Sequence, residues 1–403
     1  GHYRIPLVYG NAIKNGATNS NAYETTATGT YVLQHFKDHN NQNITNPWIE
    51  KTNSGAYANI DGAKIVWSDE KDLVTSPTIA HDASGDGYLD FEVKQSDIKS
   101  GNAVVAVTKG GTVVWSWHLW FAPKSALNKI EVTNHQGVKY NFTEETLGWK
   151  PKGEVTTYTA PRTVKVKVEQ TIANGGVKQV TVINITQNPG GKKEGATTLY
   201  QFGRKDAFPG VDASKLAANS HFTQNAGDNM SIMNGIQHPD FYYTGSSSWQ
   251  TNYGYYNLWS ADNTVTGGWN VGNDNPVVKT VYDPSPVGFK MPANNAFTGF
   301  TANGLNNGTI NVDGTDNWQT YDNNFGHNFW TNSSKTATVY FPASGYRSAS
   351  SGSLTPAGSY GNYWPAVPGG TNYGCNLFFY SGSVNPLIYS VRPYGFAARP
   401  VAE

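Results

Sequence analysis

The sequence predicts a mainly β protein with minor α content, and three observations lead to that reading. Short β-branched and aromatic runs recur, each bounded by Gly, Asp or Asn. Charged residues make up only 14% of the chain, well under the usual quarter or so, and Asn, Ser, Thr and Gly supply the polarity instead. Aromatic residues reach 13%, with 24 Tyr and 12 Trp, enough to fill a large core and still leave rings on the surface.

Within residues 1–127, "AKIVWS" (63–68), "LDFEV" (89–93), "AVVAVT" (103–108) and "TVVWSWHLWF" (112–121) read as strands. In the last, period two places Val113, Trp115, Trp117 and Leu119 against Val114, Ser116, His118 and Trp120. One helix is predicted over "TGTYVLQHFKDHN" (28–40), with Val32, Leu33 and Phe36 on its apolar stripe. Together these runs suggest an N-terminal β-sandwich. "APKSALNK" (122–129) reads as a linker. Beyond it come a hairpin at 129–143 and a stronger one at 162–191, with an "ANGG" turn and Val–Lys alternation that predicts one wet face. From about residue 198, loops rich in Asn, Gly, Trp and Tyr dominate. "NAFTGFTANG" (295–304) reads as a short helix, and short strands close the chain. Domains are therefore expected at 1–127 and 128–403, the second carrying an inserted hairpin near 160–192.

Charge excludes several classes of partner. The 29 basic residues balance 29 acidic ones, so nothing steers the chain toward nucleic acid or an anionic membrane. No apolar run approaches the length of a membrane span. The single cysteine, Cys375, leaves no intramolecular disulfide and no cysteine-built zinc site. The start at "GHYRIPLVYGN" reads as processed or trimmed, so no targeting segment is legible.

The chemistry-bearing motifs read as structural. "HDASGDGYLDF" (81–91) has the Asp and Gly of a calcium loop, but Val93 stands where a bidentate Glu belongs, and a strand follows at once. His118 in "WSWHLWF" reads as packed and hydrogen-bonded. His35 and His39 have i, i+4 spacing but lack the glutamate of a zinc helix. Glu144 with Glu145, and Asp313 with Asp316, are carboxylate pairs in polar turns. Cys375 reads as a buried small hydrophobe. No motif calls for a cofactor or a metal. In the closing run "YSVRPYGFAARPVAE", Arg392 and Arg399 are expected to pin irregular chain through their guanidiniums, and Gly395 to allow a close approach.

Four ordered pieces carry a resemblance: "TLGW" (146–149), "LYQFGRKDAFPG" (199–210), "DPSPVGFKMP" (283–292) and "LFFYSGSVNPLIYSVRPYGFAARPV" (377–401). Together they resemble the Fibrobacter-type major paralogous domain of Bacteroidales surface proteins, related in fold to C-type lectin-like domains. Ser285 and Pro400 stand where that family often has cysteines, a paired change consistent with loss of one disulfide. "YRIPLVYGNAIKNG" and "VVAVTKGGTVVWSWHLW" resemble, more loosely, the N-terminal part of Bacteroidales fimbrillin-type tip proteins. The resemblance implies an N-terminal β-sandwich followed by a C-type lectin-like α+β domain rich in irregular loops. It implies an extracellular adhesin on the cell surface, outer membrane or fimbrium, without catalysis or cofactor. Its partners would be a glycan or a host or bacterial surface protein, and other fimbrial subunits. The family's usual calcium–sugar motifs are not matched by "QHPD" (237–240) or "DNW" (316–318). In this fold the ligand meets the loops and sheet just before the last strand, which points to Tyr360, Tyr363, Trp364, Asn372, Tyr373 and Tyr380 as ligand-binding residues. Two other readings stand beside it. One is a structural fimbrial subunit joined by strand complementation. The other is a carbohydrate-active or sulfatase-modifying enzyme, the latter of which needs a cysteine pair this chain lacks.

Overall fold

The computed structural model describes residues 1–151, 161–172, 175–187, 195–245, 249, 256–261, 266–313 and 325–403. The chain is mainly β with few helices. Two antiparallel three-stranded sheets form from residues 1–121. One orders His2–Pro6, Gly87–Glu92 and Thr75–His81; the other orders Gly62–Ser68, Gly101–Lys109 and Thr112–Phe121. The β-branched and aromatic runs form these strands; Gly87–Glu92 alternates in burial, whereas Gly101–Val107 is buried on both faces. Val66, Leu89, Phe91, Val105, Val107 and Trp115 all enter one buried cluster.

That cluster does not stop near residue 127. It continues through Tyr200, Phe202, Trp259, Tyr282, Trp364 and Ala398. Polar contacts cross with it: the Trp67 indole N–H donates to the Ala207 carbonyl at 3.0 Å, and the amides of Ala217 and His221 donate to the carbonyls of Ser68 and Val66.

The helix predicted over 28–40 does not form. Residues 28–40 instead run as an irregular loop held by isolated bridges, Glu24 to His35 and Lys37 to Asn43. Val32, Leu33 and Phe36 are still buried. The reason lies at Asp38, which is wholly buried: its carboxylate accepts the amides of Asn40 and Gln42, and the side chains of Asn53 and Tyr57. An aspartate that caps its own backbone in this way competes with helix formation. With the helix goes the i, i+4 pairing of His35 and His39. His39 packs against Tyr57 at 4.4 Å between ring centroids.

The hairpin Lys129–Thr133/Lys139–Thr143 forms as expected, turning through Gly137 at φ 82°. The second hairpin, Arg162–Glu169 with Val180–Gln187, is a two-stranded ribbon. Its wet face was expected; its other face is exposed as well, with Val164, Val166, Val168, Ile183 and Ile185 all more than a third accessible. Ala173 and Asn174 of its turn lie outside the described residues, and Gly175 has φ 73°. The short helix expected at 295–304 is a 3-10 helix, Asn294–Phe300.

The closing run is woven into earlier chain. Gly395–Phe396 pairs with Tyr200–Gln201, and Val401 pairs with Phe142 and with Lys290. A second cluster, rich in phenylalanine, sits beneath: Phe142, Phe297, Phe300, Phe329, Phe341 and Phe379. Between strands, the irregular chain is pinned by buried cations. Arg399 donates to the carbonyls of Thr143, Tyr340 and Glu144, and Arg347 to those of Pro209, Gly352 and Val211. Arg392 donates to the carbonyls of Tyr256 and Gly370. Each stacks on a phenylalanine: Arg399 on Phe341, Arg347 on Phe222, Arg392 on Phe202. Gly395 allows the approach expected of it, since a Cβ there would lie 3.1 Å from Arg347 Cβ and from the Tyr242 hydroxyl.

Candidate functional site

The site grows from an antiparallel sheet of three strands, Gly361–Tyr363, Tyr373–Tyr380 and Ser383–Val391. Its register sets the two faces. Gly361 opposes Phe379 and Tyr363 opposes Leu377, so these residues share the inner face; Tyr363, Leu377 and Phe379 belong to the phenylalanine cluster. Asn362 opposes Phe378, and Asn376 opposes Ile388, which puts these four on the outer face. A Cβ on Gly361 would fall 2.1 Å from Phe379 Cζ, so only glycine fits at that crossing.

The outer face is the floor of a cleft of about 280 Å³, walled by Tyr346, Tyr360, Tyr394 and Phe396. The rings brace one another. Tyr360 stacks on Phe378 at 6.0 Å, Tyr394 stacks on Phe396 at 5.2 Å, and Tyr346 meets both Tyr360 and Tyr394 edge-on. Two asparagines lie at the bottom. Asn362 is 4% exposed and Asn376 2% exposed, yet Asn362 Nδ2 and Asn376 Oδ1 have no hydrogen-bond partner. A buried polar atom left unpaired costs about 1–3 kcal/mol. The backbone of Asn362 is fixed, its N–H donating to Ser344 Oγ and its carbonyl accepting from Ala397. The floor of the cleft therefore holds one unpaired donor and one unpaired acceptor, both covered, beneath aromatic walls. None of its nine lining residues is charged.

The residues expected from sequence divide into three groups. Tyr360 and Tyr380 come together at the cleft rim, 38% and 41% exposed, with ring centroids 6.4 Å apart. Asn372 and Tyr373 lie at the far end of the middle strand, where Tyr373 packs against Tyr389 and the Asn372 carbonyl accepts from Arg392 N–H. Tyr363 and Trp364 are corrected to core residues, each with no exposed surface. Alternation turns Tyr363 inward, where its hydroxyl donates to the Pro342 carbonyl at 2.6 Å. Trp364 packs against Phe202 and Phe396, and its indole N–H donates to the Tyr200 carbonyl. The sequence reading missed Asn362, Asn376, Tyr346, Phe378, Tyr394 and Phe396. Only the period-two pattern Tyr360–Asn362 and Asn376–Phe378–Tyr380 could have signalled the first, second and fourth.

The other flagged groups have structural partners. His118 Nε2 lies 2.9 Å from Asn102 Oδ1, and His118 Nδ1 lies 2.9 Å from the Tyr200 hydroxyl. Because Asn102 Nδ2 donates to Asp69 and to the Gly148 carbonyl, its Oδ1 is the acceptor. The ring proton therefore sits on Nε2, and Tyr200 donates to Nδ1. Desolvation of this partly buried ring pushes the His118 pKa down to about 3. Cys375 is 1% exposed, and burial pushes its thiol up to about 12. The turn at 81–91 is a hairpin turn: Asp82 accepts the amides of Ser84 and Asp86, while Asp86 pairs with Lys51. Glu144 holds the Asn128 side chain at 3.0 Å; Asp316 and "DNW" lie outside the described residues.

A model of a domain of unknown function, DUF8237, matches residues 308–401, a stretch that contains every residue lining the cleft. No curated protein and no solved structure matches the chain.

Proposed function

We propose that this chain is an extracellular adhesin that binds an uncharged glycan in the cleft over strands Gly361–Tyr363, Tyr373–Tyr380 and Ser383–Val391. The observation behind this is the pairing of aromatic walls with two buried amide atoms that lack partners, Asn362 Nδ2 and Asn376 Oδ1. Sugar rings offer C–H faces to aromatic side chains and hydroxyls that both donate and accept. An apolar ligand would leave both amide atoms unpaired. A charged ligand would meet no countercharge among the lining residues. The sequence resemblance to fimbrial tip proteins supports placement at the cell surface or a pilus tip. A screen of the whole chain against an array of neutral and acidic glycans tests the reading. Neutral glycans should be retained, and Tyr360→Ala should lower the signal at least tenfold. Retention of acidic glycans alone, or a signal indifferent to Tyr360→Ala, would count against it.

A second reading, a structural subunit that assembles with its neighbours, has one observation in its favour. The ribbon Arg162–Glu169/Val180–Gln187 exposes Val164, Val166, Ile183 and Ile185, the kind of unpartnered apolar strand surface that other chains cover.

A further inference from the structure

A second cleft, of about 370 Å³, lies beside strand Thr112–Phe121, bounded across from it by Gly10–Asn11 and by residues 283–287. Trp117 and Trp120, both half-buried, line it, with the almost fully exposed Val287 at its mouth. Its polar groups are set by the fold. Asn11 Nδ2 donates to the Lys279 carbonyl at 3.1 Å, which fixes the amide and leaves Asn11 Oδ1 buried without a partner. Ser285 is 7% exposed; its N–H donates to Asp283 and its carbonyl accepts from Lys279, but its Oγ has no partner.

The charges in this cleft are already spent on one another. Lys205 Nζ lies 2.7 Å from Asp206 and also donates to Ser116 Oγ. Lys279 Nζ donates to the carbonyls of Ser285 and Phe289, each at 2.6 Å, and lies 3.5 Å from Asp283. Asp283 in turn accepts the amides of Ser285 and Met291. Asp206 is shared between Lys205 and Arg204, the latter at 3.7 Å, and the hydrogen-bonding capacity of both lysines and both carboxylates is taken up by the protein. A charged ligand would gain nothing from them, while a purely apolar one would strand Asn11 Oδ1 and Ser285 Oγ.

We infer that this is a second binding site, for a small uncharged polyhydroxylated ligand of sugar-ring size, stacked on Trp117 and hydrogen-bonded to Asn11 Oδ1 and Ser285 Oγ. The volume is near the small end of the ligand-pocket range, roughly 300–1,000 Å³. The inference is independent of the first cleft, since the two share no lining residue.

The test titrates the full chain with methyl glycosides of glucose, galactose, mannose and N-acetylglucosamine. N-acetylneuraminic acid and indole serve as the charged and apolar probes. Tryptophan fluorescence and saturation-transfer NMR are the readouts. At least one neutral glycoside should bind saturably, about tenfold more weakly in Trp117→Ala and Trp117→Leu. Ser285→Ala, a near-isosteric change, should weaken it about threefold to tenfold, as loss of one hydrogen bond does. The same titrations are run in the Tyr360→Ala chain, where binding at the first cleft is removed, and the Trp117- and Ser285-dependent binding should persist there. Failure of all four glycosides to bind would overturn the inference, as would binding of only the charged or apolar probe. Glycoside binding insensitive to Trp117 and Ser285, or lost only with Tyr360, would overturn it too.

Discussion

Arg399 shows how single residues hold this molecule together. Its guanidinium is fully buried, faces no carboxylate at ion-pair distance among the described residues, and donates instead to three carbonyls at 2.6–2.9 Å. Burial lowers its pKa to about 10, still far above neutrality, so it stays charged. Truncation would leave three buried carbonyls unpaired. Arg399→Ala should therefore cost at least about 3 kcal/mol, as read by denaturant unfolding. Arg399→Lys should recover only part of that, because one ammonium cannot span the same fork. His118 gives a pH prediction. Its pKa is about 3 in the folded chain and about 6.5 when unfolded. The unfolded chain thus binds the extra proton throughout that window. The stability that neutral His118 supplies is present above about pH 6.5 and is lost as pH falls toward 3. Its contribution to the slope is about 1.4 kcal/mol per pH unit. Urea unfolding between pH 6 and 4 should show a shallower dependence in His118→Gln than in the parent; equal slopes would contradict the assignment.

At the scale of elements, the strands were legible from their β-branched and aromatic runs rather than from alternation, since burial alternates in Gly87–Glu92 but not in Gly101–Lys109 or Thr112–Phe121. The run at 112–121 forms where its β-branched and aromatic residues place it. The loop at 28–40 was not legible. Val32, Leu33 and Phe36 have helical spacing, but a buried loop needs apolar residues too, and spacing alone does not separate the two. The deciding group was Asp38, whose partners Asn53 and Tyr57 are distant in sequence. The cleft was half legible for a similar reason. Tyrosine-rich loops marked the region, but Asn362 and Asn376 read as loop residues until strand register puts them on one face, and the same register sends Tyr363 inward. The ribbon supplies a prediction at this scale. Replacing Val166, Ile183 and Ile185 by threonine, singly, should change the unfolding free energy by less than about 0.5 kcal/mol each, because their side chains are exposed. A cost of 2 kcal/mol or more would mean that the ribbon packs on something in solution.

For the whole molecule, the question is whether the change in architecture near residue 127 is also a boundary in stability. The larger core cluster passes through it, from Leu7 and Trp67 to Trp364 and Ala398. Val401 ties the C-terminus to the hairpin that follows it. Chemical denaturation should therefore give a single coincident transition by tryptophan fluorescence and circular dichroism. Two separated transitions would show that the parts before and after residue 127 fold independently. The same packing bears on the proposed function, because a cleft whose floor is a core sheet would need little rearrangement to take a ligand.

Under the function proposed above, the outer face of that sheet binds a neutral glycan through Asn362 and Asn376. The most direct measurement is NMR titration of the side-chain amide resonances with the strongest neutral glycan from the array, in the parent chain and in Asn362→Leu. The proposed function predicts saturable shifts of the Asn362 and Asn376 amides in the parent. In Asn362→Leu it predicts at least tenfold weaker binding with stability unchanged or raised, since an unpaired buried amide has been exchanged for an apolar group of similar size. Binding that leaves both amides unshifted, or that survives Asn362→Leu at full strength, would contradict it.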